Sequence, residues 1–454
     1  MPQAGREGAQ QRFDVVIVGA RCAGAALAQR LAAAGLSVAL LDAAKLPSDQ
    51  RTSTHLIHPP GMDELDALGV GDAVRQASPA LSALRLSYDG CEARLPNREG
   101  RSAHCLRREI LDGLLQQAAV DSGVELFAES RAVDLIRDEQ GRVAGVVTLR
   151  RGRITDRVHA DLVVGADGRN STLAKLVGAN EYLGYEAPRA VYWAYWRRPS
   201  AWNPHEFHNT FEGVDARVIF PTDGEQLLIA TVPPIERARA WRGDHTAAYL
   251  ADIRAYGLVS PYLGDELPIG GVRGVLKCRY FFRTSAGPGW ALVGDAGHHK
   301  EFVVGLGITD ALRDARGLAD AIVDGSPRSV ESWWRRRDAE RIEMFHWSRE
   351  LGDAQPVNSL QRLMISRLAN SADLQQRFGR MIDGQCSPYD LIPPLEAARW
   401  VVATAFLGGD GGALSSFLSV AMARARARRS LHRCKRKARR SESGKFRAGA
   451  PIPG

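Results

Sequence analysis

The chain has 454 residues, 45% of them hydrophobic and 25% charged, with a formal net charge of +8. Such a length exceeds one ordinary core and predicts two domains plus an appendage, and the composition is that of a soluble globular protein. The calculated pI of 9.3 does not describe the body: residues 424–447 hold 12 Lys and Arg against one acid, Glu442, which leaves the rest of the chain at −3.

The six cysteines (Cys22, Cys91, Cys105, Cys278, Cys386, Cys434) are scattered, with no C-x-x-C pair and no histidine at zinc-ligand spacing. No metal is expected, and a reducing cytosol, hence a cytoplasmic location, fits best. The N-terminus is polar and lacks the apolar core of a signal peptide. The stretch closest to a span, Trp400–Leu407, is too short to cross a bilayer and leads into GGDGG.

In chain order, Phe13–Val18 reads as a buried parallel strand, Gly19 and Gly24 punctuate a turn, and Ala25–Ala34 forms a helix. Ser37–Leu41 is the next strand and Asp42 ends it. This is a βαβ dinucleotide unit: its glycines let the backbone approach a pyrophosphate at a helix N-terminus, and the terminal acid accepts from ribose hydroxyls. The middle glycine of G-x-G-x-x-G is replaced by Arg21. The loop RTSTHLIHPPG (Arg51–Gly61) follows, then a helix over Glu109–Ala119. The segment DLVVGADGRNS (Asp161–Ser171) is an apolar strand running into Asp167-Gly168. Residues 183–275 carry short runs rich in Tyr, Trp, Val and Ile, separated by Pro and Gly, which predict a mostly antiparallel sheet. A second strand then runs into Gly294-Asp295, and Gly305-Leu306-Gly307 precedes a helix over Ile308–Ile322, whose free N–H groups and positive dipole end face whatever lies there. From 330 to about 400 the pattern is helical. The basic end predicts a disordered tail or a contact with acidic lipid or nucleic acid.

The fold expected is α/β with an α+β insert. Residues 12–80, 100–182 and 276–345 form a discontinuous Rossmann-like domain, and 81–99 and 183–275 a substrate-binding β domain. Residues 346–421 make a C-terminal helical region and 422–454 the tail.

Taken together and in this order, the glycine turn, the Arg108 helix, Asp167-Gly168 and Gly294-Asp295 resemble the group A flavoprotein monooxygenases of the para-hydroxybenzoate hydroxylase type, in the branch that begins with a GARCAG-like turn. The resemblance covers residues 12 to about 350 and implies a Rossmann-like FAD-binding domain. It assigns the FAD pyrophosphate to Gly19, Ala20, Arg21, Cys22, Ala23 and Gly24, and the ribose to Asp42. A cofactor contact falls to Arg108, with Arg107 second. Asp167 and Gly168 would serve FAD and the nicotinamide cofactor, and Gly294 and Asp295 the ribityl and pyrophosphate region. Gly305, Leu306, Gly307 and Ile308 would face the flavin pyrimidine edge, where donors stabilise the reduced anion. The family's acid-proline pair is here Glu301-Phe302. NAD(P)H is implied as co-substrate, with O2 and a small-molecule substrate as reactants.

Other roles stay open at this level. Thr54 and His55 are flavin-side candidates, while His55 and His58 equally read as loop histidines bonded to backbone. His55, His298 and His299 are the candidates for acid–base work, although in this fold the flavin carries the hard chemistry. Tyr192, Trp193, Tyr195, Trp196, Phe207 and Phe220-Pro221 either line a flat hydrophobic pocket or form plain core. The functional expectation is a monooxygenase, with secondary metabolism as its expected setting; the alternatives are a geranylgeranyl-reductase-like reductase of C=C bonds, a flavin-dependent halogenase and a non-catalytic flavin-fold binding protein. The halogenase reading lacks its lysine, since none occurs between Lys45 and Lys175, and its Trp-x-Trp motif has only Trp193-Ala-Tyr-Trp196 as a counterpart.

Overall fold

The computed structural model describes residues 12–48, 53, 55–97, 100–150, 153–326, 328–407, 421–422 and 424–436. At its centre five parallel strands run in the order Trp290–Leu292, Arg153–Gly165, Arg12–Val18, Val38–Leu41 and Glu125–Phe127. We label them in chain order: β1 (Arg12–Val18), β2 (Val38–Leu41), β3 (Glu125–Phe127), β4 (Arg153–Gly165) and β5 (Trp290–Leu292). Val16, Ile17, Ala39 and Leu40 are fully buried, as strands covered on both faces must be. Three helices pack on one face: α1 (Cys22–Ala33), α2 (Arg108–Asp121) and α3 (Gly307–Asp324), whose Leu27, Leu31, Leu111, Leu115, Leu312 and Leu318 share one core. The helix predicted over Glu109–Ala119 is α2, extended by a residue or two at each end. An antiparallel hairpin of Arg131–Arg137 and Val143–Arg150 flanks the N-terminal part of β4.

The second layer is a seven-stranded sheet in the order Ile269–Val275, Val191–Arg197, Gln226–Thr231, Asp215–Thr222, Glu206–Glu212, Ala83–Tyr88 and Cys91–Pro96. Its pairings are antiparallel except where Glu206–Glu212 runs parallel to Ala83–Tyr88. Strand alternation divides the aromatic run of Val191–Arg197 between two cores. Tyr192 and Trp196 pack under Tyr249, whereas Trp193 and Tyr195 face Phe207 and Phe220.

The C-terminal part is helical: Ser329–Leu351, Ser359–Asn370, Ala372–Ile382 and Pro394–Leu407. Among the described residues no helix is long and apolar enough to cross a membrane. The disordered tail expected from composition is corrected in part: residues 424–436 are helical, and Ala427 is fully buried. Leu431 and Cys434 pack against the cluster of Tyr280, Phe282, Ile342 and Phe345, so apolar contact overrides charge repulsion there. The rest of the tail, 437–454, lies outside the described residues.

Candidate functional site

The glycine turn after β1 is shaped by close backbone approach. Gly19 has φ +109°, and a Cβ there would stand 2.4 Å from the carbonyl oxygen of Ala166. A Cβ on Gly24 would meet the Gly19 oxygen at 1.8 Å. Arg21, in contrast, is extended (φ −99°, ψ −167°), a conformation any residue adopts, and its guanidinium donates to Ser48 Oγ at 3.3 Å. That is why the middle glycine is dispensable here.

A cleft of about 400 Å3 opens at the carboxyl ends of the parallel strands, where such sheets bind ligands. Gly19, Arg21, Cys22, Ala23, Asp42, Arg108, Asp167, Gly168, Gly294, Asp295, Gly305, Gly307 and Ile308 all line it. Three of the predicted cofactor residues do not. Ala20 donates its N–H to Asp42 Oδ2 at 2.9 Å, Gly24 is pressed against Gly19, and Leu306 is buried in an apolar cluster with Met344 and Met381. Their place is in the walls of the turns rather than on the cleft surface.

Two helix N-termini meet at this cleft. Arg21 caps α1 and Leu306 caps α3, both without a side-chain bond, so first-turn N–H groups of each helix are left for a ligand. Gly305 adopts φ +64° to turn the chain into α3. Arg108 is buried and donates to both carboxylate oxygens of Asp112, at 2.8 and 3.0 Å, while the Cys22 thiol lies 3.1 Å from Asp112 Oδ1. Asp112 holds the guanidinium charged despite its burial, and burial raises the Cys22 thiol well above its usual range, so Cys22 stays neutral. Arg107 points elsewhere, to Asp223 at 2.6 Å. Asp42 also accepts from the Ala44 N–H at 2.8 Å, joining the turns that follow β1 and β2.

Asp167 lines the cleft, but its carboxylate is engaged by Ser171 Oγ at 2.5 Å and the Thr172 N–H at 2.6 Å, capping the short helix Thr172–Leu176. Asp295 keeps half its side chain exposed, 3.8 Å from His299 Nε2. The donors and acceptors along the cleft fit an adenine dinucleotide: two helix N-termini and a charged Arg108 for phosphate, and Asp42 for a sugar. Gly294, with φ +59°, lets Asp295 approach α1, since a Cβ there would stand 2.9 Å from that of Ala23.

The three candidate histidines fall in different places. His298 and His299 line the cleft. His298 sits within a buried charged group, 3.5 Å from Asp314 and 3.7 Å from Asp310, beside a buried Lys300 that pairs with Asp310. His299 Nδ1 lies 2.9 Å from the Arg279 carbonyl, and burial lowers the pKa of both rings. His55 is not on the cleft surface. Its Nε2 lies 2.5 Å from Tyr195 Oη, and burial with Arg108 and Arg273 nearby pushes its pKa down to about 3. His58 matches the backbone-bonded reading: its Nε2 is 3.0 Å from the Val304 carbonyl, and burial takes it down to about 4. Thr54 lies outside the described residues.

Next to the cleft is a cavity of about 100 Å3, with apolar walls from Leu84, Leu86, Tyr88, Phe207, Phe211 and Phe220, and from Trp347, Leu351, Met364 and Phe378 of the C-terminal helices. Phe302 and Gly305 line both spaces. Of the aromatics proposed from sequence, Phe207 and Phe220 reach this cavity. Tyr192, Trp193, Tyr195, Trp196 and Pro221 do not: they are in the sheet and its cores. The Ala83–Tyr88 strand falls in the 81–99 stretch that the sequence assigns to the substrate-binding domain, whereas the helical wall is a contribution that only long-range packing reveals. Glu301, next to Phe302, is 1% exposed and lines the cleft; Tyr280 Oη donates to its Oε1 at 3.2 Å, while Oε2 has no hydrogen-bond partner among the described residues.

The model of the FAD binding domain family matches residues 12–325. Menaquinone reductase of Mycolicibacterium smegmatis is 30% identical over 341 residues, spanning 71% of this chain and 79% of that protein. Among solved structures, the flavin-dependent brominase Bmp2 superposes with a TM-score of 0.71 at 16% identity, over 84% of this chain and 95% of that one. The p-nitrophenol 4-monooxygenase PnpA from Pseudomonas putida gives 0.69 at 16% identity, over 84% and 100%. At such identities the two structures speak for the fold alone.

Proposed function

This chain belongs to the FAD binding domain family and is an FAD-dependent oxidoreductase; from that premise we propose that it is a monooxygenase, using NAD(P)H and O2 to oxidise a small hydrophobic or aromatic organic molecule. The observation that carries the proposal is the junction at Phe302 and Gly305, where a polar cleft built for a dinucleotide meets a cavity with largely apolar walls. When bound, FAD supplies hydride acceptance and, once reduced, reaction with oxygen.

The chain's own residues bind, orient and exclude water. The N-terminus of α1 and Arg108 would hold the pyrophosphate, Asp42 the ribose and Asp295 the ribityl region. N–H groups at Gly307 and Ile308 would face the ring edge that becomes negative on reduction, where donors already in place need no reorganisation. His58 secures the Val304 carbonyl at the entrance to this turn. Phe302, Val303 and Val304 line the cavity with apolar side chains where it adjoins the cleft, and a water-poor wall there would keep an oxygen-derived oxidant from being lost as hydrogen peroxide. Glu301 would hold a proton at the cleft wall, since burial raises its carboxyl to about 8.

A second reading, a reductase of C=C bonds in a lipophilic substrate, is favoured by the likeness to menaquinone reductase. The same apolar cavity would take an aliphatic or quinone group.

Rapid mixing of the anaerobically reduced holoenzyme with oxygenated buffer separates the two. A transient absorbance band distinct from both reduced and oxidised flavin is the result expected of the monooxygenase. Direct return of the oxidised spectrum turns the reading to the reductase. Purification without flavin would overturn both.

A further inference from the structure

The segment RARARRSLHRCKR, residues 424–436, holds seven Lys and Arg and no acid. A like-charge stretch of that length does not sustain a helix alone; here tertiary contact does so. Positions 424, 427, 431 and 434 recur at helical spacing and form the inward face. Arg424 pairs with Asp390 at 3.0 Å, Ala427 is fully buried, and Leu431 and Cys434 pack on the cluster around Phe345. Arg428, Arg429, Arg433, Lys435 and Arg436 are all exposed. The cations are therefore presented on a fixed outward face rather than dispersed along a loose tail.

Exposed apolar side chains occur in the same part of the fold. Met422, two residues before the helix segment, is 62% exposed. Asp390, the partner of Arg424, precedes the helix Pro394–Leu407, on which Leu395 is 79% and Val402 55% exposed. That helix is anchored through Trp400, which packs with Ile365 and Leu368.

We infer that this cationic face docks the protein onto an anionic phospholipid bilayer, with Met422 and the exposed Leu395 and Val402 of the helix that follows Asp390 as apolar side chains available to it. Cations near such a surface are drawn to its negative potential, and apolar side chains add insertion into the headgroup boundary. A single-stranded nucleic acid suits the face less well, because 424–436 contains no Phe, Tyr or Trp on which bases could stack. The C-terminal helices that receive these elements also supply Trp347, Leu351, Met364 and Phe378 to the apolar cavity. The inference stands whichever flavin chemistry the cleft performs.

The test is sedimentation of the full-length holoenzyme with vesicles of phosphatidylcholine containing one quarter phosphatidylglycerol, beside vesicles of phosphatidylcholine alone and a single-stranded RNA. Wild type is expected to bind the anionic vesicles at least about tenfold more tightly than the neutral ones, with the difference shrinking as salt is raised. Replacing Arg428, Arg429, Arg433 and Arg436 by Glu together should abolish the preference while leaving flavin content and melting temperature unchanged, because these side chains are exposed. Met422→Ser with Leu395→Ser should weaken vesicle binding severalfold. Equal binding to both vesicles, undiminished binding by the four-fold variant, or tighter binding to RNA than to anionic vesicles would each overturn the inference.

Discussion

Tyr280 aims its hydroxyl at Glu301, 3.2 Å from Oε1, and both side chains are buried, at 0% and 1% exposure. Burial is the main reason that the Glu301 carboxyl is raised from 4.5 to about 8. The folded state therefore binds a proton that the unfolded chain gives up at lower pH. Stability from this group is fully present below about pH 4.5 and is lost as pH rises towards 8. Glu301→Gln keeps the shape and removes the titration. Thermal melts should coincide for the two proteins near pH 4.5, and the variant should be more stable at pH 8 by a few kcal/mol. A constant difference across that range would mean that Glu301 is already ionised at low pH.

Gly19 and Arg21 should respond to very different extents. Gly19→Ala puts a methyl 2.4 Å from the Ala166 oxygen at φ +109°, so a loss of roughly 2–4 kcal/mol and of bound flavin is expected. Arg21→Gly meets no such constraint, since the position is extended, and should cost no more than about 1 kcal/mol. Urea unfolding and the flavin-to-protein absorbance ratio decide both.

Arg108→Met would strand Asp112, which is 0% exposed, without its cation. Breaking a buried pair in this way costs about 3–5 kcal/mol. The double variant Arg108→Met with Asp112→Leu should recover most of that stability. FAD affinity, measured by fluorescence titration of the apoprotein, should stay at least about tenfold weaker, because the loss of a charged phosphate partner is not repaired by packing.

Asp295→Ala removes a half-exposed side chain at the cleft and so should leave the melting temperature of the apoprotein within about 2 °C of wild type. Its FAD content after purification should fall sharply and turnover with it. A variant that kept tight flavin would show that the ribityl region lies elsewhere.

Truncation after residue 421 uncovers the cluster of Tyr280, Phe282 and Phe345 by removing Leu431 and Cys434. A loss of about 1–3 kcal/mol follows from the apolar surface exposed. Flavin content should persist, because no residue of 424–436 lines the cleft. Differential scanning fluorimetry and flavin release on heating report the two effects separately.

Local pattern by itself determined the dinucleotide framework of this protein. The apolar run of β1, the glycines at 19 and 24, and Asp42 after β2 lie within one short stretch, and the turns at Asp167 and Gly294-Asp295 each follow an apolar strand. Such features are legible because strand period, glycine conformation and helix N-termini depend on near neighbours. Tertiary structure alone decided which aromatics form the cavity. Alternation splits Tyr192 and Trp196 from Trp193 and Tyr195, but it does not say that both faces of that strand are covered while Phe207 and Phe220 reach the open space. It also decided that Asp167 spends its carboxylate on a helix cap, and that Glu301 is buried enough to hold a proton. The basic segment makes the same point: composition predicts repulsion and disorder, and the helix at 424–436 exists because Ala427 is buried and Leu431 and Cys434 find apolar partners far away in the chain. Charge density is a local quantity, whereas burial is a property of the whole fold.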